Sequence, residues 1–288
     1  ALHRRLYVSG FARAQEGADS FVRGTRWDGV ARRLLVGMPP MRREFILKDL
    51  RTFFRDSTQW SQLILLGVLV MVYLFNIQAL PLFTGEKVPV LLVTLIAFLN
   101  QGLAGFVIAA IAARFIFPAV SLEGRQMWLL RSSPLDPIAM LRSKYLVGVL
   151  PLLLLAVGLT YSTNKLLRAS DFMVLVSLLT VVCYTLAIGG LALGIGTLFP
   201  QYDSENAAQI PTSFGGLVFM LLAVALLGAV ISLEALPVVE HLRAAQAGAP
   251  AGMDATGWLA FGAAAALCVL AGWLPLRLAA RRLRHLEV

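Results

Sequence analysis

Six charge-poor apolar runs, each close to the ~20 residues needed to cross a hydrocarbon core, leave this chain few ways to fold in water. They lie at about 62–80, 88–113, 145–161, 172–199, 213–233 and 257–276. A soluble helical core of this size would alternate apolar and polar faces at helical spacing, and these runs do not. Hydrophobic residues make up 58% of the chain and charged ones only 14%, against roughly 45–50% and about 25% in soluble domains. The expected fold is therefore all-α: a polytopic membrane protein of six transmembrane helices.

The charges between the runs set an orientation. With the N-terminus inside and the sides alternating, residues 1–59, 114–144, 200–212 and 277–288 carry 21 of the 25 basic residues. The outer segments carry Lys87, Lys165, Arg168 and Arg243. Basic residues stay on the cytoplasmic side, so both termini are expected there, in a bacterial inner membrane. A basic arm such as 1–59 is also a footprint for nucleic acid, but no aromatic interleaving or motif accompanies it, and no nucleic acid is expected. After Gly37-Met38-Pro39-Pro40, residues Phe45, Ile46, Leu50, Phe53 and Phe54 recur at helical spacing, with charges on the other face. That pattern predicts a helix lying in the membrane interface. The domain reading is a cytoplasmic basic arm, 1–44, followed by a six-span domain, 45–288.

The sequence holds no GxxxxGK[ST] loop, no HExxH and no GxSxG. No histidine lies inside a predicted span, and Cys183 and Cys268 each lie alone in an apolar run. The expectation is thus a chain that is not an enzyme and carries no metal or cofactor of its own. Ion-coupled transport uses ionisable residues inside spans, and the predicted spans are almost free of them. Asn100 and Gln101 are the polar exception in the second run. They either line a translocation path or bond to a neighbouring helix, and the second role is the commoner one.

The longest polar interruption between two runs is Ser121–Tyr145. Ser121 is placed to cap a short helix through Leu130, with Glu123 in its first turn. Ser132-Ser133-Pro134-Leu135 reads as a turn. Asp136-Pro137 reads as a cap followed by proline at the first helical position, opening a helix that runs through Arg142 and Lys144 into the third span. Such a helix-turn-helix is a lever: whatever moves the turn moves the span. As an ordinary positive-inside loop it would only fix topology.

The order Glu123, Arg125, Leu129-Leu130, Ser132-Ser133, Pro134-Leu135 and Lys144 resembles the coupling region of the type-2 permeases of ABC transporters. The Gly-rich 190–216 stretch and the helix at 48–60, in the position of that family's elbow helix, are similar to it as well. The resemblance implies the permease component of an ATP-driven exporter. A separate cytoplasmic ABC ATPase subunit would bind ATP and magnesium and dock on Glu123, Gly124, Arg125, Arg131, Pro134, Asp136 and Lys144. It also implies a second six-span half, either another copy or a preceding half of a roughly twelve-span protein joined through 1–44. The substrate is left open among lipids, glycans, peptides and drug-like molecules. The alternatives are a secondary transporter or channel without an ATPase, and a non-transporting scaffold or sensor.

Overall fold

The computed structural model describes residues 37, 39–55, 61, 64, 67, 68, 70–75, 90–126, 136–202, 207–246 and 254–285. Every regular element among them is helical, and they contain no strand. The chain divides into two compact units, Ala1–Arg51 and Thr52–Val288.

In the first unit the described structure is the body of α1 (Pro40–Arg55). Pro40 takes the first helical position, where its missing N–H costs nothing. The Arg43 amide closes the first turn on the Pro39 carbonyl at 3.1 Å. Phe45, Ile46 and Leu47 are buried, while Glu44 and Arg51 are exposed. Lys48 lies over the Phe45 ring, 4.7 Å from its centre.

The second unit is a bundle of long helices: α2 (Val90–Phe115), α3 (Pro137–Leu166), α4 (Asp171–Leu198), α5 (Phe214–Gln246) and α6 (Ala255–His285). Three short 3-10 turns punctuate it, at Phe117–Ala119, Ser121–Gln126 and Ala207–Thr212. Residues 70–75 are helical too. Among the described residues, five stretches are long and apolar enough to cross a membrane: Phe98–Gly124, Pro137–Leu166, Asp171–Leu198, Phe214–His241 and Ala255–Arg284. Most of the first expected run, 62–80, lies outside the described residues.

The core sits on α4. From Ala187 to Thr197 it is buried on every side, because small residues let its neighbours come to backbone contact. A methyl group on Gly190 would stand 2.5 Å from the Gly272 carbonyl of α6, and one on Gly194 would stand 2.5 Å from Pro275. Among apolar helices in lipid, close packing of this kind takes over from hydrophobic exclusion as the cohesive force. It explains how the Ala- and Gly-rich α6 is held. Away from this core, Leu154, Leu179, Leu221, Leu259 and Val269 face outward, as a lipid-facing surface requires.

Several boundaries differ from expectation. The expected loop 162–171 shrinks to residues 167–170, because Thr163 and Asn164 bond back to the Thr160 carbonyl and α3 continues to Leu166. Ser170 then opens α4 by accepting from the Met173 amide at 3.4 Å. The expected outer segment from 234 on is instead the last third of α5, which runs unbroken past Pro237. Within the expected helix from Ser121 to Leu130, Ser121–Gln126 is a 3-10 turn broken at Gly124, and residues 127–130 lie outside the described residues.

Candidate functional site

Two polar clusters lie at opposite ends of the bundle. One stands where α2 ends, α3 begins and α4 ends. After α2, the chain packs Phe117 against Phe219 of α5, with ring centres 5.9 Å apart, and enters the Ser121–Gln126 turn. The Ser121 hydroxyl accepts a hydrogen bond from the Gln201 amide at 3.0 Å, so it ties this turn to the exit of α4 instead of capping its own helix. Gly124 has φ 50° and ψ −132°, which a side chain would strain. That left-handed residue turns the chain just after Glu123.

The Glu123 carboxylate is thereby directed inward, where Lys144 Nζ of α3 donates to Oε1 at 2.6 Å. Both side chains are almost completely buried, at 7% and 5% exposure. At this depth each charge depends on the other: removing one partner of a buried pair costs about 3–5 kcal/mol. Lys144 is held in place by the start of α3, where Asp136 Oδ1 accepts from the Ile138 amide at 3.2 Å and Pro137 takes the first helical position.

Of the residues singled out from the sequence, the structure brings Glu123 and Lys144 together. Gly124 supplies the turn, and Asp136 is an exposed helix cap. Arg125 lies in the same 3-10 turn as Glu123. Arg131 and Pro134 lie outside the described residues.

At the other end, Asn100 accepts from the Tyr73 hydroxyl through its side chain, and its carbonyl lies 3.3 Å from the same hydroxyl. Gln101 Nε2 donates to Glu234 Oε2 of α5 at 3.2 Å, and the Thr180 hydroxyl of α4 donates to Glu234 Oε1 at 2.6 Å. Glu234 is 3% exposed and lies inside an apolar stretch that continues to His241. Sequence reasoning missed it by ending the fifth run at Leu233. The signal was the apolar Ala-Leu-Pro-Val-Val at 235–239, which makes Glu234 an interruption and not a boundary.

The described residues contain no group of three or more His, Cys, Asp or Glu side chains able to hold a metal.

A family model described as "Putative ATP-binding cassette" matches residues 1–288. No curated protein and no solved structure matches the chain. The family match corrects four expectations: the resemblance to the type-2 permeases, the function as a permease component, the absence of enzymatic activity, and the assignment of ATP and magnesium to a separate subunit. The family it identifies is described by ATP binding, not as a permease. The permease reading ran from the order of residues in 121–144, and the other expectations ran from one missing loop, GxxxxGK[ST], to a missing nucleotide. That loop is one phosphate-binding device among several.

Proposed function

Because the chain belongs to this ATP-binding cassette family over its whole length, we propose that it is a membrane-embedded ABC transporter protein in which the Glu123–Lys144 bridge transmits ATP-dependent movement to the spans. The buried bridge is the observation that carries this reading. It joins a turn at the end of α2 to the first turns of α3, and the same turn is bonded to the end of α4. A displacement of the turn pulls on three spans at once. A buried ion pair at 2.6 Å resists partial opening, so it favours discrete arrangements over gradual ones.

Several finer features belong to the same reading. The run at 62–80 adds a sixth span, and α1 lies at the interface as an elbow. The segment 121–144, which begins with the Ser121–Gln126 turn and ends in the first turns of α3, takes up the movement. The basic count, 21 against 4, supports a reading in which the bridge end of the bundle faces the cytoplasm of a bacterial cell. A second membrane half, another copy or a further segment, completes the path.

The test is thiol labelling in membranes of the native host, where every natural partner is present. Leu122, exposed beside Glu123, is changed to cysteine in a background with Cys183 and Cys268 replaced by alanine. ATP with magnesium should change the labelling rate several-fold in the otherwise unaltered chain and leave it unchanged in Lys144→Met. Equal rates with and without ATP in the unaltered chain would sink the proposal. Photoaffinity labelling with azido-ATP in the same membranes reads whether this chain takes up the nucleotide.

A further inference from the structure

Glu234 is a carboxylate without a counter-charge among the described residues. Its two oxygens accept from the neutral groups of Thr180 and Gln101, and no Lys, Arg or His among the described residues stands within salt-bridge distance of it. Two neutral donors do not balance a full negative charge inside an apolar stretch, where ionisable groups pair with one another or mark a ligand path.

A second observation points the same way. The Gln101 Oε1 atom is buried and has no hydrogen-bond partner, although Gln101 is only 7% exposed. It belongs to the same amide whose nitrogen reaches Glu234, so an unused acceptor lies beside an unbalanced carboxylate. The surrounding packing fixes this geometry. Gly102 and Gly105 of α2 allow α5 to approach until a methyl group on either would meet Ile231 or Leu227. That approach brings Gln101 to Glu234. Glu234 lies seven residues before His241, where the apolar stretch ends, about 10 Å along the helix. Glu234 thus lies about midway between the middle of the apolar stretch and its end.

If Glu234 only held three helices together, a glutamine would serve without a charge to bury. A proton on Glu234 would leave the site neutral, with its O–H given to the Gln101 carbonyl. With Glu234 ionised, the group that fits both the charge and the spare carbonyl is a positively charged one that carries N–H donors. We propose that Glu234, Gln101 and Thr180 bind the protonated nitrogen of an apolar amine, with the ammonium on the carboxylate and one N–H on Gln101 Oε1. This assignment is independent of the role of the Glu123–Lys144 bridge, and its test does not involve ATP.

The test uses the full chain in lipid nanodiscs and measures binding of radiolabelled dodecylammonium above that of empty nanodiscs. Saturable binding is expected. Glu234→Gln should weaken it by roughly tenfold to a hundredfold, as loss of a charged hydrogen-bond partner does. Dodecyltrimethylammonium, with equal charge and no N–H, should bind less tightly to the unaltered chain, and dodecanol should show no saturable binding. The unaltered chain decides that comparison even if a variant fails to fold. No saturable binding of dodecylammonium overturns the proposal. So do equal affinities in the unaltered chain and a folded Glu234→Gln, equal affinities for the primary and quaternary amines, and displacement by sodium or potassium as effective as by a second amine.

Discussion

The two ends of the bundle each bury a carboxylate, but among the described residues only one of them is given a counter-charge. Glu123 has Lys144 at 2.6 Å, whereas Glu234 has an amide and a hydroxyl. A buried pair is closed: its charges cancel, and it holds two chain segments together. A buried carboxylate with neutral donors is open, and it attracts a positive charge from outside the chain. The same residue type thus works as a clamp at one end and as a receptor at the other. The contacts within reach decide which.

The largest expected effect tests the closed end. Lys144→Met removes the buried cation that donates to Glu123 and should cost about 3–5 kcal/mol, read as thermal unfolding in micelles. The double variant Glu123→Leu with Lys144→Met removes both charges and should recover most of that loss, since apolar replacements of buried pairs are often neutral or stabilising. The double variant should still lose the ATP-dependent change in labelling at residue 122. Stability without movement would identify the bridge as a transmitter. If the single and double variants are equally unstable, the pair is not a closed unit and the contrast with Glu234 fails.

An intermediate effect is expected at the open end. Glu234→Leu strands the Thr180 hydroxyl and the Gln101 amide and should cost about 2 kcal/mol. Glu234→Gln keeps an acceptor for one of them and should cost about 0.6 kcal/mol, the average for one interhelical hydrogen bond in a membrane protein. The ordering is opposite to that of the bridge, where removing charge from one side alone is the damaging change. A Glu234→Gln loss as large as that of Lys144→Met would mean that Glu234 has a charged partner, and the two ends would no longer differ in kind.

The two ends also differ in how far they could be read from sequence. Asp136-Pro137 was legible because a cap and a first-turn proline are local chemistry, and Ile138 bonds to Asp136 as that chemistry requires. Glu123 and Lys144 stood out as charges beside spans, but their pairing did not. It depends on a turn through Gly124, and nothing local requires that glycine to adopt φ 50°. Glu234 was lost to the method of finding spans. A hydropathy run is ended at the first charge, so a charge buried within a helix is taken for its boundary. The glycines of α4 stood out as a Gly-rich stretch, but their partners on α6 did not, because contact between helices distant in sequence leaves no local trace. The nucleotide was misjudged by a different route, through reliance on a single loop motif.

The smallest effect separates the ends by their helix caps. Asp136 opens α3 two turns before Lys144, and Ser170 opens α4 at the far end with a longer bond, 3.4 Å against 3.2 Å. Replacing a cap with alanine costs about 0.5–2 kcal/mol, typically about 1. Asp136→Ala should fall near the middle of that range, because its carboxylate also favours the positive end of the helix. Ser170→Ala should fall at the bottom. Fraying of the first turns of α3 loosens the support of Lys144, so Asp136→Ala should also raise the basal labelling rate at residue 122 without ATP. Ser170→Ala, at the opposite end of the bundle, should leave that rate unchanged. Equal effects of the two variants on labelling would mean that residue 122 reports general loosening of the bundle and not the state of the bridge.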